Sequence, residues 1–117
     1  MTHFSSALAI AEAIRSGKKS AVSTIQETLN TLRTQDNDIR CVTHIFADKA
    51  LQQAHKIDAM RQAGQTLPPL AGVPFGVKDL FDIAGHVTTA GSIVLRNTPP
   101  AQKDAAIVQR LKAAGAI

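Results

Sequence analysis

One segment, residues 70–79, constrains the fold more than any other part of the chain. It reads Leu-Ala-Gly-Val-Pro-Phe-Gly-Val-Lys-Asp, an apolar run that is bounded by glycine and proline and carries one lysine, Lys78. Two prolines, Pro68 and Pro69, favour extended backbone immediately before it. Residues 73–78 are therefore predicted to form a buried strand. Pro74 has no N–H to donate, so it belongs near the start of that strand.

A lysine in such a strand needs a chemical reason, because burying an ammonium group is costly. Burial favours the neutral amine, and a neutral lysine can act as a general base near neutral pH. The alternative is that Lys78 lies at the strand end, with a buried stem and an amine that reaches water. From the residues alone that alternative is the more common arrangement. Asp79, which follows, suits two roles equally well: orienting the lysine or capping the next turn.

Composition and charge are those of an ordinary soluble globular chain. The 117 residues are 44% hydrophobic and 19% charged, which predicts one small folded domain rather than disorder. Aromatic residues make up 3% of the chain, so few large side chains are present to build a dense independent core. The net charge of +4 comes from scattered lysines and arginines without interleaved aromatic residues, which disfavours nucleic-acid binding.

The cysteine and histidine residues predict neither a disulfide nor a metal site. Cys41 is the single cysteine, so the chain has no internal disulfide, which fits a reducing compartment. The four histidines show no ligand spacing, so no metal site is expected. The sequence contains no signal peptide and no membrane span, and a cytoplasmic location without membrane contact is predicted. The histidines are His3, His44, His55 and His86.

Apolar residues at helical spacing predict three helices in the first half of the chain. Serines at cap positions and glycines beyond the last apolar residue mark their ends, with Gly17 and Gly64 closing the first and third. A β-prone run predicts one short strand. The elements are a helix from Ser5 or Ser6 to Ser16, a helix from Ser20 to 36–38, a strand at 41–46 and a helix at 47–63.

The second half predicts an irregular stretch followed by one helix. Residues 79–97 are expected to be irregular, with turns at Gly85 and Gly91. Asp104 is a suitable N-cap for the helix, and Gly115 follows its end. Helices, then a strand, then a crossover helix are typical of an α/β fold. One or two strands cannot satisfy their own edges, so the chain is expected to be the beginning of a larger α/β protein.

The chain resembles the N-terminal part of the amidase signature enzymes, and this resemblance spans almost all of its length. Members of that family carry a segment like residues 70–79, then Asp-x-x-Gly and then Thr-Thr-Ala-Gly-Ser. The last two correspond to residues 82–85 and 88–92 here, and residues 104–115 match the helix that leads into the family's next core strand. Several matching segments in the same order are far more specific than one short pattern.

The resemblance implies a fold, a chemistry and a site residue. It implies a single α/β domain with a mixed sheet, of which the helical region is at about 1–66 and the start of the sheet core at about 67–117. It also implies hydrolysis of a carbon–nitrogen bond in a small amide, such as 1-carboxybiuret, by a Ser–cis-Ser–Lys triad. Lys78 matches the family lysine, which accepts the proton of the serine nucleophile. No cofactor is implied, and a small helical partner subunit or a homo-oligomer is compatible with the family.

The sequence also departs from the family pattern. The Gly-Gly-Ser-Ser-Gly-Gly-Ser signature, which supplies both serines and the oxyanion loop, does not occur in these 117 residues. Ser92 belongs to the 88–92 segment and is not assigned as the nucleophile. The chain is therefore expected to be an incomplete sequence or the product of an interrupted gene, and to be inactive alone. The alternatives are a non-catalytic remnant that acts as an interaction module and, least favoured, a basic nucleic-acid-binding domain.

Overall fold

Four α-helices and one 3₁₀ helix form the regular structure of residues 6–117, the residues that the computed structural model describes. The predicted Ser5 cap and His3 lie outside these residues. The first and third helices occur where the sequence predicts them. The elements are α1 (Ala7–Arg15), α2 (Ala21–Ile39), α3 (Ala47–Gln62), the 3₁₀ helix (Val94–Asn97) and α4 (Ala106–Ala113).

Serine caps begin the first two helices, as predicted. The Ser6 hydroxyl oxygen accepts a hydrogen bond from the N–H of Ala9 at 3.2 Å. The Ser20 hydroxyl oxygen likewise accepts one from the N–H of Ser23 at 2.9 Å. Each cap satisfies an N–H group that has no partner inside its own helix. Gly17 follows α1 with a φ of +75°, as expected for the residue after a helix end.

The start of α2 is also capped from another helix. Asp58, which lies on α3 and is 8% exposed, accepts hydrogen bonds from the N–H of Ala21 at 2.8 Å and of Val22 at 3.0 Å. Together with the Ser20 cap, these bonds satisfy the first three N–H groups of α2. A negative charge at a helix N-terminus is also favoured by the helix dipole. The carboxylate of Asp58 therefore joins α2 to α3.

The core lies between α1, α2, α3 and the segment that begins at residue 67. Gly72 makes the closest approach in this core. It has a φ of +79°, and a Cβ added there would lie 2.5 Å from Cδ1 of Ile14. The segment therefore rests directly on the first two helices. The buried core residues are Ile14, Ala21, Ile25, Leu29, Ala54, Ile57, Leu67 and Ala71.

The strand predicted at 41–46 is wrong, and α2 ends one residue beyond the predicted 36–38. The helix continues to Ile39, and Arg40 then adopts a left-handed conformation with a φ of +55°. The Asp36 carboxylate accepts the N–H of Cys41 at 2.8 Å and that of Val42 at 3.2 Å. Because these donors are engaged by a side chain, they are not available for strand pairing.

The predicted strand at 73–78 is not formed as a strand within residues 6–117, and the described chain contains no sheet. Two hydrogen bonds nevertheless follow the pattern of a parallel ladder. The N–H of Ile117 donates to the carbonyl of Val73 at 2.8 Å, and the N–H of Phe75 donates to the carbonyl of Ile117 at 2.8 Å. The N–H of Val73 donates to the carbonyl of Leu70 at 3.1 Å within a turn, so the ladder pairing does not continue toward residue 115. The helices of the predicted α/β fold are therefore present, whereas its sheet is not formed in the described residues.

Asp104 does not cap α4, which corrects the prediction. The residue before the helix is Ala105, and no side chain caps the helix there. The Asp104 carboxylate instead accepts the N–H of Ala84 at 2.8 Å and pairs with Lys112 at 2.6 Å. Gly115 follows the helix with a φ of +92°, as predicted. None of the helices in residues 6–117 is long and apolar enough to cross a membrane.

Candidate active site around Lys78

Lys78 lies at the end of the segment that pairs with Ile117, and its side chain is exposed. Its carbonyl accepts the N–H groups of Leu80 at 2.7 Å and Phe81 at 3.1 Å, which forms a tight turn directly after it. The prediction that Lys78 is buried is wrong for the described chain, in which this residue is exposed. Lys78 forms no ion pair with any residue in that range.

An apolar groove of about 90 Å³ lies on one side of Lys78. It runs between the 75–81 segment and α4, and Lys78 is the charged side chain along it. Several large apolar side chains around the groove and nearby are well exposed: Leu80 is 57%, Phe81 45% and Ile107 47% exposed. Six apolar residues line the groove, namely Phe75, Val77, Phe81, Ile107, Val108 and Leu111.

A smaller cleft of about 40 Å³ lies on the other side of Lys78 and is lined by aromatic rings. The ring centroids of His44 and Phe46 are 4.4 Å apart, and those of His44 and His86 are 4.6 Å apart. The ring of His86 lies 5.2 Å from that of Phe46. Sequence reasoning missed this cluster, since the two histidines are far apart in the chain and no spacing rule connects them.

Asp79 binds the 88–92 segment. Its carboxylate accepts the N–H of Thr89 at 3.2 and 3.3 Å and the hydroxyl of Thr89 at 2.5 Å. Its carbonyl accepts the N–H of Ala90 at 2.9 Å. The Thr89 hydroxyl, with the Thr89 N–H and the charge of His86, lowers the pKa of Asp79 against the opposing effect of burial. The carboxylate therefore does not cap the turn that follows it, and it does not pair with Lys78.

Asp82 joins the same segment to the beginning of α4 through its carboxylate and its backbone carbonyl. Oδ1 of Asp82 accepts the hydroxyl of Thr88 at 2.6 Å, and the Asp82 carbonyl accepts the N–H of Ala105 at 2.8 Å. The predicted turns are present, with φ values of +79° at Gly85 and +73° at Gly91. The Asp-x-x-Gly and Thr-Thr-Ala-Gly-Ser motifs thus form one hydrogen-bonded unit next to Lys78, although sequence reasoning did not assign the roles of the two threonines.

The chemistry available at this site is that of an amine. No group of three or more histidine, cysteine, aspartate or glutamate side chains is placed to hold a metal ion in the part of the chain that the structure describes. Lys78 can accept or donate a proton beside an apolar groove. Ser92 lies in the turn after Thr89, to whose carbonyl its N–H donates at 2.8 Å.

Comparison with known proteins gives relatives over nearly the full chain. Residues 23–117 match the Amidase family. The chain is 48% identical over 108 residues to AtzE, a 1-carboxybiuret hydrolase subunit of Pseudomonas sp. strain ADP, and 42% identical over 112 residues to a glutamyl-tRNA(Gln) amidotransferase subunit of Thermobifida fusca strain YX. These alignments cover 92% and 96% of this chain but 24% and 22% of those relatives. The chain thus spans about a quarter of the length of the curated relatives that it matches.

Solved structures show the same relationship. One is a vestigial protein complex described as revealing the evolutionary origins of an s-triazine catabolic enzyme. It matches with a TM-score of 0.90 at 48% identity, over 92% of this chain and 24% of that chain. The peptide amidase of Stenotrophomonas maltophilia matches with a TM-score of 0.85 at 29% identity, over 97% and 23% of the two chains. The motifs around Lys78, the family match and these structures agree: the chain belongs to the amidase family, whose members are the amidase signature enzymes.

Proposed function

We propose that this chain is the N-terminal part of one amidase signature domain, and that the complete domain hydrolyses the carbon–nitrogen bond of a small amide such as 1-carboxybiuret. The helical region at about 1–66 and the beginning of the sheet core at about 67–117 belong to that single domain in this proposal. The 48% identity to a 1-carboxybiuret hydrolase subunit supports the substrate class. That relative is one subunit of its enzyme, which supports assembly with a partner chain or a further copy.

The observation that carries the proposal is the position of Lys78. It ends the segment that begins to pair with Ile117, it borders an apolar groove, and it has no counter-ion within residues 6–117. Further apolar side chains are exposed nearby, including Val94 at 85%. If the rest of the domain covers this surface, water is excluded from Lys78 and the neutral amine is favoured. A neutral amine is the form that can accept a proton.

In the proposed mechanism, a serine of the complete domain attacks the amide carbonyl through its oxygen. The serine proton passes through the hydroxyl of a second serine to the neutral amine of Lys78, which becomes an ammonium. The ammonium then returns the proton to the leaving nitrogen as the carbon–nitrogen bond breaks. Water hydrolyses the resulting acyl-enzyme, with Lys78 again serving as base. Neither serine is assigned within these 117 residues.

The same proposal explains the incomplete ladder. The hydrogen bonds of Ile117 to Val73 and Phe75 are in parallel register, and α4 lies between the two paired stretches. A strand, a helix and a parallel strand form the βαβ unit on which mixed sheets are built. We propose that the residues that follow position 117 in the complete protein extend this pairing into the first two strands of the sheet.

A chimera tests the proposal. Residues 1–117 replace the matching segment of the Pseudomonas 1-carboxybiuret hydrolase chain, and amide hydrolysis is followed by ammonia release. The chimera is expected to hydrolyse the amide, and Lys78→Ala should lower kcat by about 100- to 10,000-fold, the usual contribution of a general base. Lys56→Ala removes an exposed lysine on α3 and should leave the rate unchanged. The isolated 117-residue chain should show no activity.

Two results would count against the proposal, in different ways. Near wild-type hydrolysis by the Lys78→Ala chimera would refute the assignment of Lys78 as the base. A chimera that folds and assembles like the relative but hydrolyses nothing would favour the alternative, a non-catalytic remnant that acts as an interaction module. The exposed apolar surface around Ile93 and Val94, at 76% and 85% exposure, is compatible with that second role.

A further inference from the structure

We propose that Thr89 is a positioning residue for the base: it binds both oxygens of the Asp79 carboxylate and so keeps that carboxylate from pairing with the amine of Lys78. This inference rests on the proposed function, in which Lys78 must be neutral to accept a proton. It assigns a role to the second threonine of the Thr-Thr-Ala-Gly-Ser motif.

The need for such a residue comes from the sequence itself. Asp79 follows Lys78 directly and both residues line the aromatic cleft, so a carboxylate lies near the amine. A negative charge within a few ångströms of an amine favours the protonated ammonium, which cannot act as a base. The same carboxylate would also be the natural partner in an ion pair. A domain that uses this lysine as a base therefore has to direct the adjacent carboxylate elsewhere.

Thr89 binds the Asp79 carboxylate through both its N–H and its hydroxyl. Its N–H lies 3.2 Å from Oδ1 and 3.3 Å from Oδ2 of Asp79, and its Oγ1 lies 2.5 Å from Oδ2. The N–H of Ala90 donates to the Asp79 carbonyl, so the backbone of the two segments is also joined. Both carboxylate oxygens are thus engaged by donors, and Lys78 forms no ion pair with any described residue.

The other titratable groups near Lys78 do not provide a competing negative charge. The aromatic cleft beside it contains His44 and His86 besides Asp79, and the apolar groove on its other side has no further titratable side chain. Asp82, three residues beyond Asp79, accepts the hydroxyl of Thr88. Asp79 is therefore the carboxylate whose direction matters for the charge of Lys78.

The neighbouring threonines provide a matched pair of variants. Thr89→Val keeps the size of the side chain and the N–H but removes the hydroxyl that binds Asp79, whereas Thr88→Val removes the hydroxyl that binds Asp82. In the chimera, we expect Thr89→Val to move the acid limb of the kcat/KM profile up by about one pH unit, with a roughly tenfold lower rate on that limb and recovery at higher pH. Thr88→Val should keep the acid limb of the unmutated chimera, and Thr89→Ser should restore it.

Two further measurements make the inference refutable even if Thr89→Val folds poorly. Asp79→Asn in the otherwise unchanged chimera should move the acid limb by less than about half a pH unit, because a diverted carboxylate has little influence on the amine. A downward shift of a full unit would overturn the inference, since Asp79 would then already act on Lys78. NMR titration of the 117-residue chain should show that Thr89→Val raises the pKa of Asp79 toward its ordinary value.

The outcomes separate this inference from the proposed function. Activity that survives Lys78→Ala refutes the proposed function itself. Activity that is lost in Lys78→Ala, together with an unmoved acid limb in Thr89→Val, refutes only the role of Thr89. An equal shift in Thr88→Val and Thr89→Val would also refute it, because the effect would then come from loosening the 82–92 unit rather than from the Asp79 charge.

Discussion

Replacing Asp58 tests whether one buried carboxylate holds the helical half of the chain together. In Asp58→Ala, the N–H groups of Ala21 and Val22 lose their acceptor at the beginning of α2. Ala21 is fully buried, so water cannot replace the carboxylate there, whereas Val22 is partly exposed and its N–H can find water. The Ser20 cap does not compensate, because its hydroxyl oxygen already serves Ser23.

The magnitude follows from these two different environments. A buried donor left without a partner costs about 1–3 kcal/mol, and the exchange of the second bond for one to water costs about 1 kcal/mol. The expected loss in the free energy of unfolding is therefore about 2–4 kcal/mol, a large share of the roughly 5–15 kcal/mol typical of a small domain. Asp48→Ala removes an exposed carboxylate from the first turn of the same helix and should cost about 1 kcal/mol or less.

Two measurements report the effect on global and on local unfolding. Urea denaturation followed by circular dichroism gives the free energy of unfolding of both variants. Hydrogen exchange of the Ala21 amide reports the local effect, and a loss of about 2–4 kcal/mol corresponds to exchange that is about 30 to 900 times faster. If Asp58→Ala costs no more than Asp48→Ala, or if the Ala21 amide keeps its protection, the carboxylate does not join α2 to α3 and the reasoning fails.

Two further predictions concern packing and acid stability. Gly72→Ala should destabilise the chain by about 1–3 kcal/mol more than Gly64→Ala. Both positions have positive φ, but only a Cβ at residue 72 would meet Ile14, at 2.5 Å. Equal losses of stability in thermal unfolding would contradict this. The pKa of Asp104 is lowered mainly by its hydrogen bond with Lys112, so its contribution to stability is present above about pH 3.8 and is lost as the pH falls through the lowered pKa. Asp104→Asn should remove that part of the acid sensitivity below about pH 3.8, and unchanged pH dependence of unfolding would show that this pair contributes nothing.

Local signals in the sequence were sufficient to predict where α1 and α2 begin. Ser6 and Ser20 sit at cap positions, and Gly17 follows the first helix end, so the information for these boundaries lies within a few residues of each. The errors occur where a side chain binds backbone groups that lie beyond the end of its helix. Asp36 engages the N–H of Cys41 and thereby prevents the predicted strand. Such a bond is not visible in a pattern of apolar and polar residues.

The sequence motif indicated which residues to consider at the candidate site, but it did not indicate what surrounds them. The motif brought attention to Lys78 and Asp79, yet the exposure of the lysine depends on which elements pack over it, which a local pattern does not contain. The cluster of His44, Phe46 and His86 arises because two irregular segments meet, and no spacing rule predicts such a meeting. The role of Lys78 as a base stays a prediction.

The pairing of Ile117 with Val73 and Phe75 has a consequence for the order of folding. The contacts between α2 and α3 join neighbouring elements and can form early, whereas the Ile117 pairing must first close a long loop, which slows it. During synthesis the helices are therefore expected to form before the hydrogen bonds of Ile117. The carbonyl of Val73 and the N–H of Phe75 stay without these partners until residue 117 has left the ribosome. We expect this interval to be when the nascent chain is most open to binding by chaperones or to pairing with another copy.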